Sequence, residues 1–134
     1  MSNCRGFPHE RLHQDRVIIL SQIAVMKKVL FICSQNKLRS PTAEAVFAEE
    51  PRLLVASAGL NNNAEVPVTP ELLKWADIIF VMEKSHRNKL SKKFKKYLNK
   101  QRVVCLEIPD SYGYMDPVLV SLLKAKVSRH LGTY

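Results

Sequence analysis

Residues 27–49, KKVLFICSQNKLRSPTAEAVFAE, constrain the fold more than any other stretch of the chain. They open on Val29-Leu30-Phe31-Ile32, an apolar, partly β-branched run of the length of a buried strand. They close on Ser40-Pro41-Thr42-Ala43-Glu44-Ala45-Val46-Phe47, with Ser40 placed to cap a helix and Pro41 at its first position. Residues 34–39 form a loop between the two, directly after Cys33. A strand–loop–helix unit aims loop N–H groups and a helix N-terminus at one point, which makes a site for an anion. A cysteine held over that point is favoured as thiolate, its nucleophilic form. The segment reads as a phosphate-binding loop that carries its own nucleophile.

From Met26 onward, strands and helices alternate. The pattern predicts strands over 28–33, 53–57, 77–82 and 103–107, and helices over 41–50, 70–75, 84–98 and 117–131. Thr69-Pro70 and Asp116-Pro117 supply caps for the second and fourth helices, and Leu90, Phe94, Tyr97 and Leu98 form one apolar stripe on the third. Such strands, alternating with helices, predict an α/β fold whose parallel sheet is covered on both faces. Binding then belongs at the carboxyl ends of the strands, where Cys33, Ser57 and the loop after Glu107 all fall.

At 134 residues the chain is long enough for one domain with its own core. Residues 1–25 are polar at first, rich in histidine and without a clear period. They are expected to be an extension, disordered or an artefact of start-site choice, ahead of a domain over 26–134; an extra element packed through Val17 to Leu20 is the alternative. The formal charge of +9 favours anionic partners. Cys4, Cys33 and Cys105 form no disulfide framework and no metal-binding pattern, which fits a reduced, cytoplasmic setting. No apolar run reaches the length that spans a bilayer, so no membrane role is expected.

CSQNKLRS, residues 33–40, resembles the Cys-x5-Arg-Ser motif of low-molecular-weight protein tyrosine phosphatases. A bare Cys-x5-Arg spacing arises by chance in roughly one such chain in six. It carries weight here because Ser40 follows, a strand precedes and a helix comes after. The resemblance, to a compact bacterial subgroup of the family, extends through Ser57-Ala58-Gly59 and Ile108-Pro109-Asp110 to the last helix. It implies a three-layer, phosphotyrosine phosphatase I-like sandwich with a four-stranded parallel sheet ordered 2-1-3-4. It further implies a hydrolase that acts through a phosphocysteine intermediate and needs no metal or other cofactor.

On that resemblance Cys33 is the nucleophile and Arg39 binds phosphoryl oxygens with its planar fork. Ser34, Gln35, Asn36, Lys37, Leu38 and Ser40 complete the phosphate-binding loop, with Ser40 close to the Cys33 sulfur. Asn36 and Ser57 match positions that brace the loop, although Ser57 also reads as an ordinary strand-end serine. The leaving group needs an acid. Asp110, in a DSY stretch that resembles the family's DPYY, is preferred over Asp116, which capping already explains. Tyr112 is expected to wall the substrate pocket, with Tyr114 as its rival.

Three departures bear on phosphotyrosine specificity more than on phosphatase chemistry. Gln35 stands where the family usually has Gly, Leu38 where it often has a second cysteine, and the segment after Ser57 is short. The expected substrate is a phosphotyrosine protein or a small phosphomonoester. Nine lysines and arginines between Lys84 and Arg102 read as a solvated helix face or as a docking surface for RNA or an acidic protein. The alternative to an enzyme is a phosphate-recognition module without turnover. A thiol-type arsenate reductase ranks lower, because no further cysteine lies in the stretch that would relay a disulfide.

Overall fold

The apolar run at Val29 becomes the centre of the sheet. In the computed structural model, which describes residues 26–131, β1 (Lys27–Cys33) pairs with β2 (Leu53–Gly59) on one side and β3 (Ile78–Val81) on the other. The fourth strand, β4 (Arg102–Cys105), adds to β3. All pairs are parallel, and the order is β2-β1-β3-β4, as the resemblance implies. The expected extension over residues 1–25 lies outside the described residues.

Successive residues of β1 feed opposite cores, because side chains alternate across a strand. Val29, Phe31 and Cys33 join Phe47, Phe80, Val104, Leu119, Leu123 and Val127 beneath α1 (Arg39–Phe47) and α4 (Pro117–Leu131). Leu30 and Ile32 join Leu73, Ile79, Val81 and Leu90 beneath α2 (Pro70–Trp75) and α3 (Lys84–Phe94). With both faces covered, the inner strands have no solvent side and therefore no polar alternation. This is the three-layer sandwich.

Two helices depart from expectation. The first begins at Arg39, so Pro41 lies third in the helix and Ser40 is not its cap; Leu38 stands at the N-cap and no side chain caps the helix. Proline is tolerated there because first-turn N–H groups have no intrahelical partner in any case. The third helix ends at Phe94, which leaves helical geometry at φ −129° and ψ 26°, and a 3-10 turn over Lys95–Tyr97 follows. That tighter turn brings Tyr97 and Leu98 back onto the cluster that already holds Leu90 and Phe94. The side-chain amide of Gln101 closes it by donating to the carbonyls of Leu73 and Tyr97.

Aromatic stacking ties the central strands to the first helix. Phe31 stacks on Phe80 at 5.5 Å between centroids and on Phe47 at 5.7 Å. Phe80 is fully buried, so Phe80→Ala should lower unfolding free energy by about 3–5 kcal/mol. Urea titration of the variant against wild type measures this, and a loss below about 1 kcal/mol would contradict the assigned core.

Candidate active site

Cys33 ends β1 in register with Gly59 of β2, and the chain then turns over its own sulfur. The backbone N–H of Asn36 donates to Cys33 Sγ at 3.2 Å, and Ser40 Oγ lies 3.0 Å from the same sulfur. Asn36 makes the turn possible by adopting φ 57°, a left-handed backbone that asparagine tolerates better than most side chains. Gln35, although it replaces a usual glycine, is not among the residues with positive φ.

Ser40, freed from capping, serves the loop. Its hydroxyl donates to Asn36 Oδ1 at 2.9 Å besides approaching the sulfur. The brace expected from Ser57 is not what that side chain makes: its hydroxyl donates to Glu44 on α1. A serine's reach is short, and Glu44 is the acceptor within it. The loop is instead held from outside by the segment after β2. Asn61 N donates to Ser34 O at 2.9 Å, and Glu65 N donates to Gln35 O at 3.1 Å. Gly59 permits this approach, since a Cβ there would lie 2.6 Å from Ala64 Cβ, 2.7 Å from Ser34 O and 2.9 Å from Asn36 N.

Arg39 is 3% exposed, and its guanidinium is held on one edge. Nη1 donates to Glu83 Oε2 at 2.5 Å and to the Ile108 carbonyl at 2.8 Å. On the other edge Nε lies 3.7 Å from Asp110 Oδ1, within a pocket of about 310 Å³ lined by Cys33, Ser34, Gln35, Lys37, Leu38, Arg39 and Asp110. Thus the structure gathers Cys33, Arg39 and Asp110 at one opening. Asp116 is elsewhere employed: its Oδ1 accepts from Val118 N at 2.8 Å, at the start of α4.

Tyr112 does not line the pocket. It packs half-buried against the core cluster of Phe31 and Leu119, because its ring finds apolar surface there. Tyr114 is 57% exposed and also lies outside the lining. Thr42 fixes the loop that carries Asp110: its hydroxyl accepts from Met115 N at 2.9 Å and donates to Leu38 O at 2.6 Å. The basic residues of α3 project into solvent, with Lys89 and Lys93 reaching Asn61 and Asn62 beside the loop. Cys105 packs on the opposite face of the sheet from Cys33, with β3 between their strands.

Two site residues escaped the sequence reading. Glu83 stands two residues past the carboxyl end of β3, and His86 is the third residue of α3. His86 Nδ1 accepts from Glu83 N at 3.2 Å, half of a capping box, while Nε2 lies 2.9 Å from Ser34 Oγ. The Glu-x-x-His spacing at a helix start was the available signal. Burial lowers the His86 pKa below its ordinary value, and the nearby Arg39 cation adds to this against the opposing pull of Glu83 and Asp110.

Residues 28–75 match the family model described as low molecular weight phosphotyrosine protein phosphatase, a span that holds the whole loop, α1 and β2. The match covers the part of the chain that carries Cys33 and Arg39. The chain is 26% identical over 117 residues to the protein-arginine-phosphatase of Bacillus subtilis (strain 168), covering 66% of the chain and 78% of that protein. A YwlE mutant from Bacillus subtilis superimposes with a TM-score of 0.63 at 23% identity, over 80% of this chain and 99% of that one. The tyrosine phosphatase Wzb from Escherichia coli K30, in complex with phosphate, does so with a TM-score of 0.63 at 22% identity, over 78% and 96%. At these identities the superpositions establish a shared fold. Among the described residues no helix is long and apolar enough to cross a membrane, and no group of three or more His, Cys, Asp or Glu side chains could hold a metal ion.

The lowered pKa of His86 fixes the sign of a pH effect. Neutral His86 is favoured in the folded chain, so its contribution to stability is fully present above the unfolded value of about 6.5. That contribution is lost as pH falls from there through the lowered native value. Wild type should therefore lose more unfolding free energy than His86→Asn over this window, as read from urea titrations at stepped pH. Parallel losses would show that His86 does not titrate between the two states.

Proposed function

We propose that this protein is a cysteine-dependent phosphomonoesterase that works through a phosphocysteine on Cys33. The observation that carries the reading is the convergence of the Cys33 sulfur, one edge of the Arg39 guanidinium and the Asp110 carboxyl on one pocket. The Cys33 thiolate attacks phosphorus, forming the S–P bond as the ester P–O bond breaks. Asp110 gives its proton to the departing oxygen. Asp110 then takes a proton from water, whose oxygen attacks phosphorus as the S–P bond breaks and free phosphate forms.

The Nε edge of Arg39 and the N-terminus of α1 stabilise the equatorial oxygens through both steps. No acidic residue lies in the first turn of α1, so nothing there opposes an incoming anion. A phosphoryl dianion on Arg39 displaces the Asp110 carboxylate from Nε.

The preferred substrate class is a phosphotyrosine-like ester on a protein or small molecule. Lys37 lines the pocket, and its cation opposes the guanidinium of a phosphoarginine side chain. The second reading, phosphoarginine, draws on the likeness to the Bacillus subtilis protein-arginine-phosphatase. The exposed basic face of α3 supports substrates or partners with further negative charge, and a cytoplasmic setting fits both readings. A disulfide relay of the arsenate reductase kind finds no support in Cys105, across the sheet from Cys33.

Hydrolysis of p-nitrophenyl phosphate at mildly acidic pH tests the mechanism. Cys33→Ser should abolish turnover, and Asp110→Asn should lower kcat by about 10²–10⁴-fold, the range of a positioned general acid. Retained turnover in Cys33→Ser would overturn the phosphocysteine. Phosphate or vanadate binding without wild-type turnover would favour a recognition module instead.

A further inference from the structure

His86 stands between two of the groups that shape the pocket, and its hydrogen bonds fix which nitrogen carries the proton. Nδ1 accepts from the backbone N–H of Glu83, so in the neutral ring the hydrogen is on Nε2. Nε2–H therefore donates to Ser34 Oγ at 2.9 Å, rather than accepting from it. A hydroxyl that receives a donor on its oxygen still has one proton of its own to give. Ser34 lines the pocket beside Cys33 and Arg39, and the acceptors that arrive there are phosphoryl oxygens.

We propose that His86 is a positioning residue that turns the Ser34 hydroxyl into a donor to the bound phosphoryl group. This rests on the phosphatase reading of the pocket and adds to it one more hydrogen bond on the transferring group. Burial keeps the arrangement in place: His86 is 4% exposed, and Glu83, which anchors Nδ1 through its backbone, also holds Arg39 through its carboxylate. The ring thus couples the start of α3 to the first residue of the loop after Cys33.

Two shorter side chains separate the two jobs of the imidazole. In His86→Asn the side-chain oxygen overlies Nδ1 and keeps the cap to Glu83, but nothing reaches Ser34. In His86→Gln the amide nitrogen overlies Nε2 and keeps a donor to Ser34, while the acceptor for Glu83 N–H is lost. The readouts are orthovanadate affinity by calorimetry, kcat on p-nitrophenyl phosphate, and the urea midpoint.

His86→Asn should weaken vanadate binding and lower kcat, each by about tenfold, with a near wild-type urea midpoint. His86→Gln should recover most of both losses despite a lower urea midpoint. Ser34→Ala should match His86→Asn, and combining the two should add little, since they remove one interaction. Full vanadate affinity and kcat in His86→Asn, with losses only where stability falls, would reduce His86 to a helix cap and overturn the proposal. Wild type that binds vanadate without turnover would sink the phosphatase reading alone, because the affinity series still decides on His86. Wild type that binds no vanadate would sink both.

Discussion

A guanidinium that is almost wholly buried must have partners, because an uncompensated charge in the interior costs several kcal/mol. Arg39 meets that requirement through Glu83, 44 residues on, and the Ile108 carbonyl, 69 residues on. The first lies just after β3 and the second in the chain that follows β4. One side chain thus draws together the loop after β1, the start of α3 and the approach to Asp110. Sheet order matters here, because β1 lies next to β3 and β3 next to β4. The carboxyl ends of three adjacent strands deliver the three partners to one place.

The loop before Arg39 has a different constraint. Its backbone must curl over the Cys33 sulfur, and a single left-handed residue, Asn36, makes that curl. Asn36 is then held by Ser40, and the outer edge of the loop is held by the N–H groups of Asn61 and Glu65. Gly59 lets this second segment close in, for any side chain at that position would collide with the loop's own backbone. The loop is therefore fixed by tertiary contact as much as by its own sequence.

That division explains what could be read from the chain. The parallel sheet followed from strong local signals: apolar strands such as Val29-Leu30-Phe31-Ile32, and helices in alternation. Cys33 and Arg39 were legible because a strand and a helix frame them within a few residues. Ser40 was read in both roles open to a short hydroxyl after a loop, helix cap and partner to sulfur; it lies by the sulfur as expected, and only the helix boundary shows that it is not the cap. Ser57 and Tyr112 followed the family's pattern, but their neighbours here are Glu44 and the core. Glu83 and His86 were missed because their partners, Arg39 and Ser34, are distant in sequence.

Two carboxylates flank Arg39, and their surroundings differ. Glu83 bonds to the inner edge through a short ion pair and is backed by the ordered start of α3. Asp110 lies 3.7 Å from the outer edge, with its side chain 65% exposed. On the proposed mechanism, an arriving phosphoryl dianion competes with Asp110 and not with Glu83. Because Glu83 already offsets the arginine charge, the remaining attraction for the dianion comes from the Arg39 fork as a hydrogen-bond donor, the N-terminus of α1 and Lys37 on the rim. Such a site gains little from charge alone. It discriminates by the geometry of its donors, and on the proposed mechanism the exposed Asp110 at the outer edge is the carboxyl free to move to the leaving oxygen, while Glu83 stays on the arginine.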